Sequence, residues 1–243
     1  MSRRISEDFD AFNDFLSKYS LTSYTRESKQ IETYKGMHKK LFGLLVFSAE
    51  FKLQGQYPAL DPFLNEMGSD LLLALFSIVQ GMYKPAKLLL RCSMENFLKS
   101  MVMIDTPTII QERSVYEIFD AAKKDRHFAG IIGQACIGLL HDDYVKLCQI
   151  VHGDPAVMNP TSSLSMLPKY DSTLEKEALS IYMRTLESYL EILYFNFPIT
   201  VDKMHPENKE DFLDCLAKRT KHAVIDALYS MIMYNKLRKL KKA

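Results

Sequence analysis

An apolar helical stripe begins at Tyr144 and leads to a single histidine, His152, after which the sequence stops a helix. Gly153 can adopt the left-handed conformation that closes a helix, and Pro155 cannot continue one. We therefore expect His152 at a helix C-terminus, where free carbonyl groups favour the charged imidazole and suit it to acid–base chemistry near neutral pH. The alternative is a structural histidine that only caps the helix.

Two oppositely charged side chains, Arg91 and Glu95, lie one helical turn apart in a strongly apolar segment. This i,i+4 spacing allows an ion pair along the helix surface. One interpretation is a structural pair that fixes helix packing, because buried charges are generally paired. In the other, Arg91 binds an anion such as phosphate while Glu95 fixes the plane of the guanidinium group.

Two further side chains of the same stretch are candidates for this chemistry. Tyr144, two turns before His152, is expected to help orient the charged groups. Lys146 is expected to bind phosphate, although it precedes His152 by six residues and lies about 120° from it on a straight helix. These two side chains share a face only if the helix is distorted or a partner chain contributes.

A metal site is the weaker hypothesis. The run His141-Asp142-Asp143 is similar to the His-Asp pair of helical metal-dependent phosphohydrolases, with His127 and Asp154 as possible further ligands. Their spacing is arbitrary, and an Asp-rich helix N-terminus in solvent is the favoured alternative. The sequence contains no zinc-ligand spacing, nucleophile elbow or dinucleotide fingerprint, so we expect neither metal nor cofactor.

These residues must be positioned by helices, because apolar residues recur with the helical period nearly everywhere in the chain. No stretch alternates between apolar and polar residues for long enough to form a sheet. The fold class predicted is all-α: a single domain over residues 1–243, an up-and-down helical bundle with irregular inserted helices and one long loop at residues 153–170. The segment 61–82 is apolar on almost every side and is predicted to be the central, surrounded helix. The predicted helices span residues 8–19, 27–53, 61–82, 85–104, 109–124, 128–140, 142–152, 172–195 and 207–237.

Composition places the chain among globular proteins, with 47% apolar and 25% charged residues and a net charge of +1. Any site for a polyanion must therefore be local. Four cysteines without a Cys-x-x-Cys pair indicate reduced thiols and a cytoplasmic location. The N-terminus has no apolar segment, and the longest apolar runs fall short of the roughly 20 residues of a membrane span, so no membrane association is expected.

The tail, residues 235–243, holds five cations, among them Lys236, Arg238 and Lys239. One interpretation is a solvated helix end, where the helix dipole favours positive charge. The other is a surface that binds RNA, DNA or an acidic protein.

Two segments together resemble the HEPN-like helical proteins found among bacterial phage-defence and toxin genes. Residues 86–95 read Ala-Lys-Leu-Leu-Leu-Arg-Cys-Ser-Met-Glu, and residues 144–153 read Tyr-Val-Lys-Leu-Cys-Gln-Ile-Val-His-Gly. The resemblance covers roughly residues 71–154. It implies a homodimer that cleaves RNA without metal, in which His152 transfers protons and a cation stabilises the charged phosphorane.

The chain departs from the HEPN pattern at one position. HEPN ribonucleases carry an Arg shortly before the His, where this sequence has Lys146, and the pair Arg219 and His222 is too closely spaced to match. Lysine can hold a phosphate as a point charge but lacks the bidentate fork of arginine. Two functions therefore remain open: an endoribonuclease, or a helical interaction or regulatory module that binds a protein, such as a partner from a defence operon, or a nucleic acid.

Overall fold

The computed structural model describes residues 2–18, 28–151, 170–217 and 220. These residues form an all-α fold, as the periodicity predicts, and none of them lies in a strand. Three short 3-10 helices, Pro58–Leu60, Pro107–Gln111 and Arg126–Phe128, connect the α-helices. The α-helices are α1 (Arg3–Lys18), α2 (Ser28–Gln54), α3 (Asp61–Val79), α4 (Tyr83–Val102), α5 (Val115–Lys124), α6 (Gly130–Val151), α7 (Ser172–Asn196), α8 (Pro198–Asp202) and α9 (Pro206–Cys215).

Helices α3 and α4 form an antiparallel hairpin. Its turn depends on Gly81, whose φ of 71° lies in the left-handed region that other residues rarely adopt. Away from the turn, Asn96 of α4 donates a hydrogen bond to Asp70 of α3 over 3.2 Å. The N-cap of α3 is Leu60, and Asp61 is already helical.

Helix α7 lies at the centre of the bundle, the position that the sequence pattern predicted for α3. It packs against α2, α3, α4 and α6. Helix α3, by contrast, leaves Leu72 and Leu73 45% and 48% exposed. The prediction that α3 is surrounded is wrong, because apolar composition alone does not reveal which side the neighbouring helices cover.

Contacts along α7 show how its neighbours run. Lys87 and Ser93 of α4 bond to Glu177 and Tyr189 of α7 respectively, so these two helices are parallel. Helix α6 runs in the opposite direction, because Cys136 and Asp143 contact Glu191 and Arg184 respectively. The N-terminus of α4 therefore lies at the same end of the bundle as the C-terminus of α6.

Helix α6 replaces the two helices predicted over residues 128–140 and 142–152. It is continuous from Gly130 to Val151, so His141 and Asp142 are in its interior rather than at an N-terminus. Asp143 is buried and accepts two hydrogen bonds of 2.7 Å from Arg184. The expectation of a solvated Asp-rich helix N-terminus is therefore wrong.

The predicted helix over residues 207–237 is interrupted after Cys215. Helix α9 ends there, and Leu216 has extended backbone angles and is buried in the core. Of the residues after Leu216, the structure describes only Ala217 and Thr220, of which Thr220 is helical. Most of the predicted loop at residues 153–170 and the basic tail lie outside the described residues.

Among the described residues, one segment, Pro58–Val79, is long and apolar enough to cross a membrane, and its most apolar 18 residues have a mean hydropathy of 1.3. Of those 18 residues, 56% are buried inside the protein. The core helix of a soluble protein passes the same criterion, so this composition is weak evidence for a membrane span.

Candidate functional site

Arg91, Glu95 and Tyr144 form a closed hydrogen-bonded cluster between α4 and α6. The Arg91 Nε group donates to the Tyr144 hydroxyl oxygen over 2.7 Å, and the Tyr144 hydroxyl donates to Glu95 Oε1 over 2.6 Å. Arg91 Nε also lies 3.2 Å from the same Glu95 oxygen. The structure thus brings together three of the four residues that the sequence predicts to be catalytic.

The helices position this cluster through spacing and packing. Arg91 and Glu95 are one turn apart on α4, so they present their polar ends to the same stretch of α6. The Tyr144 ring packs edge-on against Phe119 at 5.2 Å between ring centres, and the guanidinium carbon of Arg91 lies 5.3 Å from the centre of the Tyr144 ring. A cation over an aromatic face adds a further attraction.

The hydrogen bonds and burial fix the protonation states of the cluster. Burial and the hydrogen bond to Glu95 raise the pKa of Tyr144 far above its ordinary value, so the phenol stays protonated. Burial tends to lower the pKa of Arg91, but the hydrogen bond with Tyr144 and the charge of Glu95 outweigh it and raise that pKa. At neutral pH the Tyr144 phenol is therefore neutral and the Arg91 guanidinium is a cation.

Arg91 retains donors for a ligand. Its side chain is 23% exposed and that of Glu95 is 29% exposed, whereas Tyr144 is buried. Only the Nε group of Arg91 has hydrogen-bond partners in the part of the chain that the structure describes. The two terminal nitrogens, which form the bidentate fork that matches phosphate, have none there.

Lys146 is not part of this cluster. It is 52% exposed, and its Nζ atom lies 3.1 Å from Asp143 Oδ1, the oxygen that also accepts from Arg184. Lys146 follows Tyr144 by two residues, about 200° around the helix, so it belongs to the side of α6 that faces α7. The predicted role of Lys146 beside Arg91 has no support from this placement.

The fourth predicted catalytic residue, His152, lies outside the described residues. It directly follows Val151, the last residue of α6, and comes two turns after Tyr144 in the sequence. The tail cations Lys236, Arg238 and Lys239 also lie outside the described residues.

Sequence reasoning missed several ionisable neighbours of Arg91. Cys148 follows Tyr144 by one turn and interacts electrostatically with Arg91, as does Cys92. Asp70 on α3 interacts with Cys92, and burial and the charge of Glu66 raise the pKa of Asp70 to about 6. The sequence did contain a signal for Asp70, because an acidic residue inside the apolar stretch of α3 is unusual.

A second group of potential ligands lies near the start of α6. One ligand atom each from Asp105, Asp125 and His127 lies within 4.8 Å of the others. However, Arg126 binds Asp105 through two contacts of 2.6 and 2.9 Å, and His127 Nδ1 hydrogen-bonds to Asp125 over 2.7 Å. These contacts satisfy the three residues as a structural network, and nothing in their arrangement requires a metal ion.

Comparisons of the chain with protein-family models, with characterised proteins and with solved structures gave no match in any of the three.

Proposed function

We propose that the chain is an RNA-acting helical protein whose Arg91 binds a phosphate group, and that it is a metal-independent endoribonuclease of the HEPN-like kind. The arrangement of Arg91 carries this proposal. Its Nε group is fixed by Tyr144 and Glu95, while its terminal nitrogens have no partner among the described residues. A guanidinium group held in this way is oriented in advance for a phosphate.

His152 supplies the acid–base chemistry in the proposed reaction. It removes the proton of a ribose 2′-hydroxyl, whose oxygen attacks the adjacent phosphorus. The bond between phosphorus and the 5′-oxygen breaks, and that oxygen receives a proton from the imidazolium. Arg91 stabilises the additional negative charge on the phosphorane, and Glu95 and Tyr144 hold the guanidinium in place.

The test is cleavage of tRNA and total RNA in the presence of a chelator. We expect the wild-type protein to cleave, and His152→Ala to lower the rate by about 10²–10⁴, which is the usual contribution of general acid–base catalysis. Arg91→Lys should also cleave more slowly, because lysine keeps the charge but loses the fork. The matched control is Arg113→Ala at an exposed arginine just before α5, which should cleave like the wild type. No cleavage by the wild type, or equal cleavage by His152→Ala, would remove the nuclease proposal.

The second candidate is a non-catalytic interaction or regulatory module that binds a protein or nucleic-acid partner. The burial of Tyr144 favours it, because a buried hydroxyl that bonds both Arg91 and Glu95 also ties α4 to α6. In this case Arg91→Ala lowers the melting temperature, and His152→Ala changes neither fold nor partner binding. Thermal melts of both variants beside the cleavage assay distinguish the two candidates: normal melting with lost cleavage supports the enzyme.

Two broader parts of the proposal rest on the resemblance alone: a role in a bacterial phage-defence or toxin system, and a homodimeric state. A toxin should slow the growth of cells that express it, and His152→Ala should relieve the effect. Light scattering on the purified chain measures its mass in solution, and a monomer would contradict the homodimer.

A further inference from the structure

His38 of α2 lies in an aromatic enclosure that α1 completes. The centre of its ring is 5.5 Å from that of Phe9 and 5.9 Å from that of Phe12, both on α1, and 6.4 Å from that of Phe42 on α2. The His38 side chain is only 6% exposed. Removal of α1 would therefore expose the imidazole to water.

The two ring nitrogens of His38 have very different surroundings. Nε2 lies 2.7 Å from Oδ2 of Asp8 on α1, so a neutral imidazole donates its one proton there. Nδ1 is buried and has no hydrogen-bond partner among the residues that the structure describes. A second proton on the ring would place an N–H donor at Nδ1 with no acceptor, which is costly in a buried environment.

From this geometry we propose that α1 is a proton-sensitive strap, docked on α2 and α9 while His38 is neutral and released when His38 takes up a second proton. Release lets water hydrate Nδ1, so the proton binds more tightly to the undocked state. Burial lowers the pKa of His38 in the docked state, against the opposing charge of Asp8. By linkage, docking is strongest above the ordinary histidine pKa of about 6.5 and weakens as the pH falls below it.

Other charged groups at this interface, among the residues that the structure describes, lie on α1, α2 and α9. On α2, the ammonium group of Lys35 lies 5.9 Å from the centre of the Phe9 ring and pairs with Glu32. On α1, Arg4 donates to Asn208 of α9 and lies 3.3 Å from Asp211 and 3.7 Å from Glu207. The pH response of the His38→Gln variant separates the contribution of these groups from that of His38.

Hydrogen exchange on the full chain, followed by mass spectrometry, tests the strap. After correction for intrinsic exchange, amides of α1 should exchange up to about tenfold faster at about pH 5.5 than at about pH 7.5, which is the ratio expected for a group of pKa 6.5. Amides of α7 should not change. His38→Gln keeps a donor for Asp8 but does not titrate, so its α1 should be equally protected at both pH values.

Asp8→Asn provides a second variant in case His38→Gln does not fold. It keeps an acceptor for Nε2 and removes the charge that stabilises the docked imidazolium, so the pH response of α1 should be larger than in the wild type. An α1 that exchanges equally at both pH values in the wild type overturns the proposal. So does a pH response that survives unchanged in His38→Gln, or one that Asp8→Asn abolishes.

Discussion

Asp70 is an acidic side chain that α3 places in a largely apolar environment. It is 6% exposed, and among the described residues its carboxylate accepts a hydrogen bond from Asn96. Burial, together with the charge of Glu66, raises the pKa of Asp70 to about 6. The carboxyl group is therefore more easily protonated in the folded chain than in the unfolded one, where its pKa is about 3.9.

This difference predicts how Asp70→Asn changes stability with pH. A carboxyl group whose pKa is raised by folding stabilises the fold below its unfolded pKa, and this contribution disappears as the pH rises through about 6. We expect Asp70→Asn to raise the free energy of unfolding near pH 7.5 by on the order of 2 kcal/mol, and to change it little near pH 4. Denaturant titrations of both proteins at the two pH values measure this. A variant less stable than the wild type at the higher pH would contradict the role given to Asp70.

The predictable part of the candidate site is the part that a single helix determines. Arg91 and Glu95 pair because side chains four residues apart meet on any helix. The contact of Arg91 with Tyr144 joins residues 53 positions apart and depends on how α4 packs against α6. The position of Lys146 could have been derived, because two residues on a helix turn its side chain to the opposite side from Tyr144.

At the level of elements, α2 and α9 approach so closely at Gly43 that no side chain fits there. A Cβ atom at Gly43 would lie 2.6 Å from both Cβ and Sγ of Cys215, inside the usual contact distance. The Cys215 thiol is itself held in place, because its Sγ atom lies 2.9 and 3.0 Å from the carbonyl oxygens of Lys39 and Asp211, which share its one proton. Contact between these two helices therefore requires glycine at this position.

Gly36, seven residues earlier on α2, provides the matched control because a Cβ atom there meets nothing within 4 Å. We expect Gly43→Ala to destabilise the fold by about 1–3 kcal/mol, since it forces α9 away from α2. Gly36→Ala should stabilise it by about 0.5–1 kcal/mol, because alanine restricts the unfolded chain and favours helix. Chemical denaturation of the two variants measures whether the free energy of unfolding falls in Gly43→Ala and rises in Gly36→Ala. If both substitutions had the same effect, the close approach at Gly43 would not be the cause.

The sequence predicts which segments are helical better than it predicts where each helix ends or which of its faces is buried. The extents of α2 and α7 agree with the sequence periodicity within a few residues. The buried side of α2 is harder to predict, because its apolar residues nearly encircle the helix: Leu44 is buried, whereas the adjacent Leu45 is 41% exposed. Helix α6 continues through His141 and Asp142 because buried Asp143 is neutralised by Arg184, a contact between helices that a charge run does not reveal.

At the scale of the whole molecule, the core depends on the tyrosines of its central helix. Tyr182, Tyr189 and Tyr194 of α7 are each 2% exposed or less. The Tyr189 ring stacks on Phe97 at 3.9 Å between ring centres, and its hydroxyl group shares a hydrogen bond with Ser93. Because α7 contacts most other helices, these rings cannot reach water unless the bundle opens.

Burial raises the pKa of all three tyrosines, to about 12 for Tyr194 and further for Tyr182 and Tyr189. A tyrosine whose pKa is raised by folding stabilises the fold below the unfolded pKa of about 10, and this contribution is lost as the pH rises above it. We therefore expect the chain to unfold cooperatively at alkaline pH, with these phenols ionising only as the helices are lost. Tyrosinate absorbance and circular dichroism recorded on the same samples test this.

Tyr189→Phe isolates the contribution of one buried hydroxyl group in this experiment. The phenyl ring keeps the stacking on Phe97 but removes the hydroxyl group, so one phenol should disappear from the late, cooperative part of the absorbance change. The lost hydrogen bond leaves Ser93 without that partner, which should cost about 1–2 kcal/mol at neutral pH. A smooth ionisation of every tyrosine before any helix is lost would mean that α7 is not sealed inside the bundle.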